Sequence, residues 1–339
     1  MTLPLGKIPV DILKDVVFKN LGAKRPEVLL GPSAGIDGAV INVGSKSLIC
    51  SMDPITGATD RIGWLAVNVN ANDVATFGCE PQFMLSCVLL PEESDRMSVE
   101  TITAQMSGAA EDLEIAIVGG HCETTSSLRN PIVAACVMGT AQRNMYVTAA
   151  GAKPGDKLIL TKSAGIEGTA ILASDREQQL KNTLDSNMLE RAKRFYERIS
   201  IVKDAATAFK TGQVNAMHDA TEGGVTGAIH EMADASRVGV KVFEEGIKVE
   251  PETVGICRFY HIDPLQLIAS GSLLIAVKPR AAENVVRTLQ KTSIDCKIAG
   301  EFLPSPETRL IVRGNGKVEN LIRPMTDHLW QALQNTCDI

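Results

Sequence analysis

The chain has 339 residues, with 34 basic against 40 acidic side chains, a formal net charge of −6 and 45% apolar residues. That length can bury more core than one small domain needs, so two domains are expected, and the charged content of 22% excludes wholesale disorder. The negative balance argues against a nucleic-acid or anionic-membrane partner, because the counterion term that drives such binding needs clustered Lys and Arg.

No apolar run reaches the roughly 18 residues of a membrane span. The start, Met1-Thr2-Leu3-Pro4-Leu5-Gly6-Lys7, lacks the pattern of a secretory signal, so the cytoplasm is the expected compartment. The 8 cysteines contain no C-x-x-C pair, and residues such as Cys87 and Cys136 sit in apolar segments, which suggests reduced core thiols.

Taken in order, Ala39–Val43 and Ser47–Met52 read as paired strands joined by a turn at Gly44. A helix from about Ile62 to Phe77 stops at Gly78, and Phe83–Leu90 follows as a buried strand. Val99, Ile102, Met106, Ala109 and Leu113 mark one face of a second helix. Ile115–Val118 then reads as a short strand ending in Gly119-Gly120, and Ile132–Ala141 as another. Strands interleaved with helices that cover one face give an α+β arrangement.

Gly151, Pro154 and Gly155 within Ala149–Asp156 suggest a domain boundary, dividing the chain into residues 1–150 and 151–339. Beyond it lies a second α/β unit. Lys157–Thr161 is a strand, two long helical stretches fill about 167–211, and Gly223–Ala235 is a third helix. Ser272–Val277 is a further strand, followed by a helix near 281–290 and by strands near Lys297–Phe302 and Arg309–Val312. The tail after Pro324 reads as one terminal helix, with Leu329, Trp330 and Leu333 as its apolar stripe.

Familiar nucleotide loops are missing: no G-x-x-x-x-G-K-[ST] occurs, and Gly314-Asn315-Gly316 lacks the third glycine of a dinucleotide fingerprint. Asp37 in a Gly-Ile-Asp-Gly turn, Asp53 after a strand and Asp73 in a helical Asn72-Asp73-Val74-Ala75 could instead deliver carboxylates from separate segments to Mg²⁺ that carries triphosphate oxygens. Taken singly, each is better explained by ordinary turn and loop chemistry.

Gly119-Gly120-His121-Cys122-Glu123 follows a strand, where glycines allow close approach to a ligand and His121 and Glu123 could reach into a cleft; a polar hairpin is the plainer reading. His121-x-Glu123 matches half of a zinc-deaminase signature whose P-C-x-x-C is absent. His218-Asp219-Ala220-Thr221-Glu222-Gly223-Gly224 precedes a helix; Asp219 or Thr221 could cap it, and the Gly223-Gly224 amides could receive phosphate. Lys162–Gly168 is a second strand-to-helix loop of similar character.

In order, these segments resemble the superfamily of aminoimidazole ribonucleotide synthetase, selenophosphate synthetase, thiamine-monophosphate kinase and the hydrogenase-maturation protein HypE, with HypE and its archaeal relatives the nearest in look. The blocks are Gly35–Val40, Asn72–Pro81, Gly119-Gly120, Gly165–Leu172, His218–Val225, and Asp263–Leu265 before Ser270–Leu274. The resemblance implies an N-terminal four-stranded sheet with helices on one face, pairing with that of a second subunit into a barrel, and a C-terminal ferredoxin-like α/β domain.

It also implies ATP with Mg²⁺ held by Asp37, Asp53 and Asp73, with Asn72, Gly119, Gly120, Asp219, Gly223 and Gly224 as further nucleotide contacts. Asp73, His121 and Glu123 are then the candidate catalytic residues. The implied chemistry is phosphoryl transfer to an oxygen of an unidentified small acceptor, by a homodimer. HypE ends in Pro-Arg-Ile-Cys, whose thiol is carbamoylated, whereas this sequence ends Thr336-Cys337-Asp338-Ile339, so Cys337 is expected to carry no carbamoyl group. The alternatives are authentic hydrogenase maturation through Cys337 and a non-catalytic ATP-binding regulator.

Overall fold

The computed structural model describes Leu3 and residues 5–334. Its N-terminal half contains α1 (Val10–Asp15), β1 (Val28–Leu30), β2 (Ala39–Val43), β3 (Lys46–Ile55), α2 (Ile62–Thr76), β4 (Phe83–Pro91), α3 (Arg96–Asp112), β5 (Ala116–Thr125) and β6 (Ile132–Gln142). The C-terminal half first supplies β7 (Lys157–Thr161), α4 (Ile166–Asp175), α5 (Glu177–Leu180), α6 (Ser186–Lys193), α7 (Val202–Phe209), β8 (Val214–Asp219) and α8 (Gly224–Ser236). It continues with β9 (Gly239–Phe243), α9 (Pro251–Tyr260), β10 (Leu273–Val277), α10 (Ala282–Lys291), β11 (Cys296–Leu303), β12 (Arg309–Val312), β13 (Val318–Asn320) and α11 (His328–Gln334). No helix among the described residues is long and apolar enough to cross a membrane.

The first sheet has the order β1-β2-β3-β6-β4-β5, antiparallel throughout except for the parallel β4–β5 pair. It has 6 strands where four were expected. Four is what the resemblance implied, whereas the sequence itself reads as five; the one addition is β1, too short to show a period, and β5 is longer than expected, running through the two glycines instead of ending at them. A Cβ on Gly120 would stand 2.1 Å from the Ser86 carbonyl oxygen, and its φ of +154° suits glycine, so this pair lets β5 lie close against β4 rather than forming a loop.

Alternation along β3, β4 and β6 turns Ile49, Met84, Val88, Val133, Ala135 and Val137 toward α2 and α3. The opposite register turns Met52, Phe83 and Leu85 outward, where they are 62%, 43% and 42% exposed. Cys50, Cys87 and Cys136 share that register and are half-buried, and Cys122 is exposed. The expectation of core thiols therefore holds only for Cys79, Cys257 and Cys296, while Cys337 lies outside the described residues.

The second sheet has the order β13-β12-β9-β11-β7-β10-β8, with β9–β12 its one parallel pair. The two long helical stretches expected over 167–211 are four separate helices. Arg176 closes α4, and the Asp185 side chain accepts from the Met188 amide to start α6 afresh. β8, β9, α9 and β13 were not anticipated.

Helix α2 joins the halves. Every residue of it except Trp64 is buried, because the first sheet packs on one side and C-terminal elements on the other, so it has no amphipathic stripe. Its polar side chains are consequently paired inside the fold. Asn70 accepts from the Asp53 amide at 2.7 Å and donates to the Asp53 carbonyl at 3.1 Å. Asn72 donates to Ile199 O at 2.9 Å and accepts from Ile201 N at 2.8 Å, and Trp64 Nε1 donates to Tyr196 O at 3.2 Å.

Asn72→Ala leaves one buried carbonyl and one buried amide without partners at this junction. The expected loss is about 2–4 kcal/mol of unfolding free energy, read as a lower urea midpoint with an unchanged slope. A midpoint equal to that of the wild type would show that the junction does not depend on this amide.

Candidate active site

Three chain segments converge at the start of α8. The turn before β2 brings Asp37, the last turn of α2 brings Asp73, and the end of β8 brings His218 and Asp219. Gly35 makes the approach possible: its φ is +73°, and a Cβ there would lie 2.8 Å from the Glu231 carbonyl oxygen on α8. The Ser51 hydroxyl lies 2.7 Å from Asp73 Oδ2 and 2.5 Å from the Asp37 carbonyl oxygen. His218 stands between two acids, with Nδ1 2.7 Å from Asp37 Oδ2 and Nε2 3.0 Å from Glu231 Oε2. Asp219 is fully buried, and neither of its carboxylate oxygens has a hydrogen-bond partner.

The electrostatics follow from packing acids together out of water. Burial, then the neighbouring Asp219, raises Asp73 well above the usual carboxylate range, and burial with the charge of Asp37 pushes Asp219 up to about 8. Asp53 is pushed up to about 6 by desolvation and by Asp37 and Glu222, against the opposing charge of Lys7. Burial alone would lower His218, but Asp37 and Glu231 outweigh it and hold the imidazole well above its ordinary value. Burial likewise opposes ionisation of Glu231, yet Lys7 and His218 bring it down to about 2. The Lys7 ammonium lies 3.3 Å from Glu231 Oε1, and its backbone amide donates to Glu222 Oε2 at 2.7 Å.

Beside this cluster lies a cavity of about 570 Å³ between the halves, bounded by Asp53–Ala58, α4, the Thr221-Glu222 turn and the start of α11. Asp53 belongs to its wall and is electrostatically linked to the cluster. The fold thus brings Asp37, Asp73 and Asp219 together, with Asp53 at the edge. Asp37, His218 and Asp219 each place a ligand atom within 4.8 Å of the others; His218 has both nitrogens committed to carboxylates, so the hard oxygen donors suited to a divalent cation are Asp37 and Asp219, with Asp73 close enough to Asp219 to be raised by it.

Other expected site residues are placed differently. Both polar atoms of the Asn72 amide are used within the fold. His121 and Glu123, 3.0 Å apart, stand exposed on the edge strand β5 with Gly119 and Gly120; none of the four lines the cavity or joins the acid cluster. At the start of α8, the Gly223 amide donates to Asp327 Oδ2 at 2.6 Å and Gly224 N donates to Thr221 O at 3.0 Å. Neither Asp219 nor Thr221 caps the helix; instead a carboxylate from the C-terminal segment, Asp327, accepts from the amide of the N-cap residue Gly223, where a phosphate was expected.

Asp327 also accepts from Leu329 N at 2.7 Å and from Ile268 N at 3.2 Å, while burial pushes it up to about 7. Sequence reasoning missed Lys7, Glu231 and Asp327, which carry no local motif, and quoted His218 and Glu222 without giving them a role.

The chain matches the AIR synthase related protein family, its N-terminal domain over residues 35–141 and its C-terminal domain over residues 153–313. It is 28% identical over 292 residues to a putative hydrogenase expression/formation protein of Methanocaldococcus jannaschii, a span of 84% of each chain. It is 30% identical over 266 residues to the carbamoyl dehydratase HypE of Escherichia coli, covering 76% of this chain and 75% of that protein. The chain belongs to the AIR synthase-related family, and its relatives include hydrogenase-maturation proteins.

Among solved structures, HypE in a HypE–HypF complex has a TM-score of 0.75 at 21% identity, covering 92% of this chain and 99% of that one. HypE in complex with ATP has a TM-score of 0.67 at 18% identity, covering 96% and 98%. These two likenesses show the fold.

The acid cluster makes stability depend on pH with a definite sign. Asp53, Asp219, Asp327 and Glu167, the last raised to about 7 by burial, retain protons in the fold at pH values where the unfolded chain has released them. The folded state binds more protons, so stability falls as pH rises from the ordinary carboxylate range toward about 8. His218, raised as well, adds stability below its unfolded value that is lost in the same direction. Without metal, the melting temperature should therefore be lower at about pH 8.5 than at about pH 5.5, by about 3 °C or more. A profile rising over that interval would contradict the buried-acid arrangement.

Proposed function

We propose that the chain is an ATP- and Mg²⁺-dependent enzyme that transfers the γ-phosphoryl group to an oxygen of a small acceptor. The observation that carries this reading is the pair of unpartnered, fully buried Asp219 oxygens beside Asp37 and Asp73. Orphaned carboxylate oxygens are costly in a dry interior, and a divalent cation is the partner that such a set of oxygen donors fits. The ATP complex of HypE, a protein of the same fold, supports the choice of nucleotide.

Asp37, Asp73 and Asp219 would hold the ion, with Asp53 at the cavity edge. When bound, Mg²⁺ supplies neutralisation of phosphate charge. The chain's own residues do the positioning. His218, protonated between Asp37 and Glu231, fixes the Asp37 carboxylate, and the Ser51 hydroxyl fixes Asp73. The cavity beside Asp53 is where an acceptor oxygen could stand in line with the γ-phosphorus while ADP departs. His121 and Glu123, remote from the cluster, would have to be delivered by the sheet of a second protomer.

We further read residues 1–150 as the ATP-binding and dimerisation domain and 151–339 as a ferredoxin-like domain. The break between sheets from Gln142 to Lys157 supports the division, and the run β11-β7-β10-β8 supports the second assignment. A homodimer follows from the first sheet, whose outer face carries Met52, Phe83 and Leu85. Carbamoyl dehydration, the activity in the names of the HypE relatives, would need a carrier thiol. Cys337 is expected to be dispensable, because Leu329 is buried and Leu333 O accepts from Arg176, so α11 is docked.

Two measurements test these readings. Calorimetry should show ATP binding that requires Mg²⁺ and weakens by at least about 2 kcal/mol, roughly thirtyfold, in Asp73→Ala; wild-type affinity in that variant would sink the metal assignment. Light scattering should give a dimer at micromolar concentration and a monomer for Leu85→Glu. A wild-type monomer of full solubility would remove the dimer.

A further inference from the structure

The cavity between the halves has polar groups that the nucleotide reading does not use. Its walls are largely apolar, with Ile55, Val69, Ile171, Ile268, Leu329 and Trp330, and its ionisable lining consists of four carboxylates and one lysine. Three of those carboxylates are already engaged. Asp53 belongs electrostatically to the metal cluster, Glu222 accepts from the Lys7 amide, and Asp327 accepts from three backbone amides. The lysine, Lys7, spends its ammonium on Glu231.

Glu167 is different. It is 3% exposed, and its Oε2 has no hydrogen-bond partner; Ser270, fully buried beside it, favours the ionised carboxylate through its hydroxyl and amide, yet that hydroxyl makes no hydrogen bond of ordinary geometry. As an acidic residue in the first turn of α4, Glu167 suits the helix dipole, but that role would be served equally with the carboxylate in water. Tight packing holds it inside instead: a Cβ at Gly168 would lie 2.4 Å from the Leu267 side chain, and Thr169 is hydrogen-bonded to Thr253 at 2.8 Å. An unsatisfied acceptor at this depth is costly, and both atoms belong to residues of one ligand-sized cavity.

We propose that Glu167 and Ser270 form the subsite for a positively charged nitrogen head, an ammonium or amidinium, on an acceptor with a small apolar body. The carboxylate takes one N–H and the serine oxygen a second, while Ile171, Ile268 and Trp330 enclose the body. Above about pH 7, where Glu167 ionises, an anionic head is disfavoured by the carboxylates of the lining and a neutral head supplies no counter-charge, whereas a cationic head favours the ionised carboxylate. This inference names the acceptor's class and so rests on the phosphoryl-transfer reading. Its test uses no nucleotide, so failure of one does not imply failure of the other.

The probes are benzamidine, benzamide and benzoate, near-isosteres that differ in charge. The chain has 2 tryptophans, so Trp64→Phe leaves Trp330, on the cavity wall, as the single tryptophan to be excited selectively; thermal shift on the otherwise unaltered chain repeats the measurement without that change. Benzamidine should bind saturably, at least about tenfold more tightly than benzamide, with benzoate not binding. Glu167→Gln, which keeps shape and removes charge, should weaken benzamidine at least about tenfold and benzamide less than about threefold, and Ser270→Ala should weaken both. Equal affinity for the three probes, or benzamidine binding unchanged in Glu167→Gln, would overturn the proposal.

Discussion

Burying Asp73 and Asp219 in one dry junction, with Asp37 alongside, is the constraint around which the rest of the molecule is arranged. Like charges in a low-dielectric space repel strongly, and such groups either neutralise by holding a proton or acquire a counter-charge. Both responses occur here. Asp73 and Asp219 are pushed upward, while Asp37 is paired with a protonated His218 that shares its charge with Glu231, itself held ionised by Lys7. The chain Lys7–Glu231–His218–Asp37 links the N-terminal segment, α8, β8 and the turn before β2, so the charge balance of the site also joins the two halves.

That junction explains the character of α2. A helix packed on all sides has no solvent face for polar residues, yet this one carries Asn68, Asn70, Asn72, Asp73 and Thr76. Each is tied to a carbonyl, an amide or a hydroxyl nearby, and two of them fix chain segments that matter to the site: Asn70 the backbone of Asp53, and Asn72 the turn ahead of α7. Polar residues in α2 thus serve as a frame, and the one that could meet a ligand, Asp73, is held in place by the others.

The C-terminal segment has an equally specific place. Asp327 puts a carboxylate on the N-terminal end of α8, where a bound anion would otherwise be stabilised, and in doing so fixes α11 and Trp330 over the cavity. An internal group that takes the place of a ligand at one end of a cleft leaves the other end to define what can enter. Here that end contains Asp53, at the edge of the acid cluster, and Glu167 with its unpaired Oε2.

The sequence by itself determined the alternation of strands and helices, the existence of two sheet-forming halves and the acidic character of the site, because these follow from period, punctuation and residue type within short windows. Asp37 and Asp73 were readable as candidates on the same ground, each standing in a distinctive local setting. Only the tertiary structure decided which groups meet. Glu231 lies well inside α8, Asp327 more than a hundred residues beyond Gly223, and Lys7 near the start, so nothing local marks them as partners. Gly119 and Gly120 show the converse: a glycine pair after a strand suggests a loop, and only the close backbone of β4 reveals that the pair allows strand packing. Side-chain identity fixes what a residue can do chemically, but a buried charge is defined by what surrounds it, and those surroundings are assembled from distant parts of the chain.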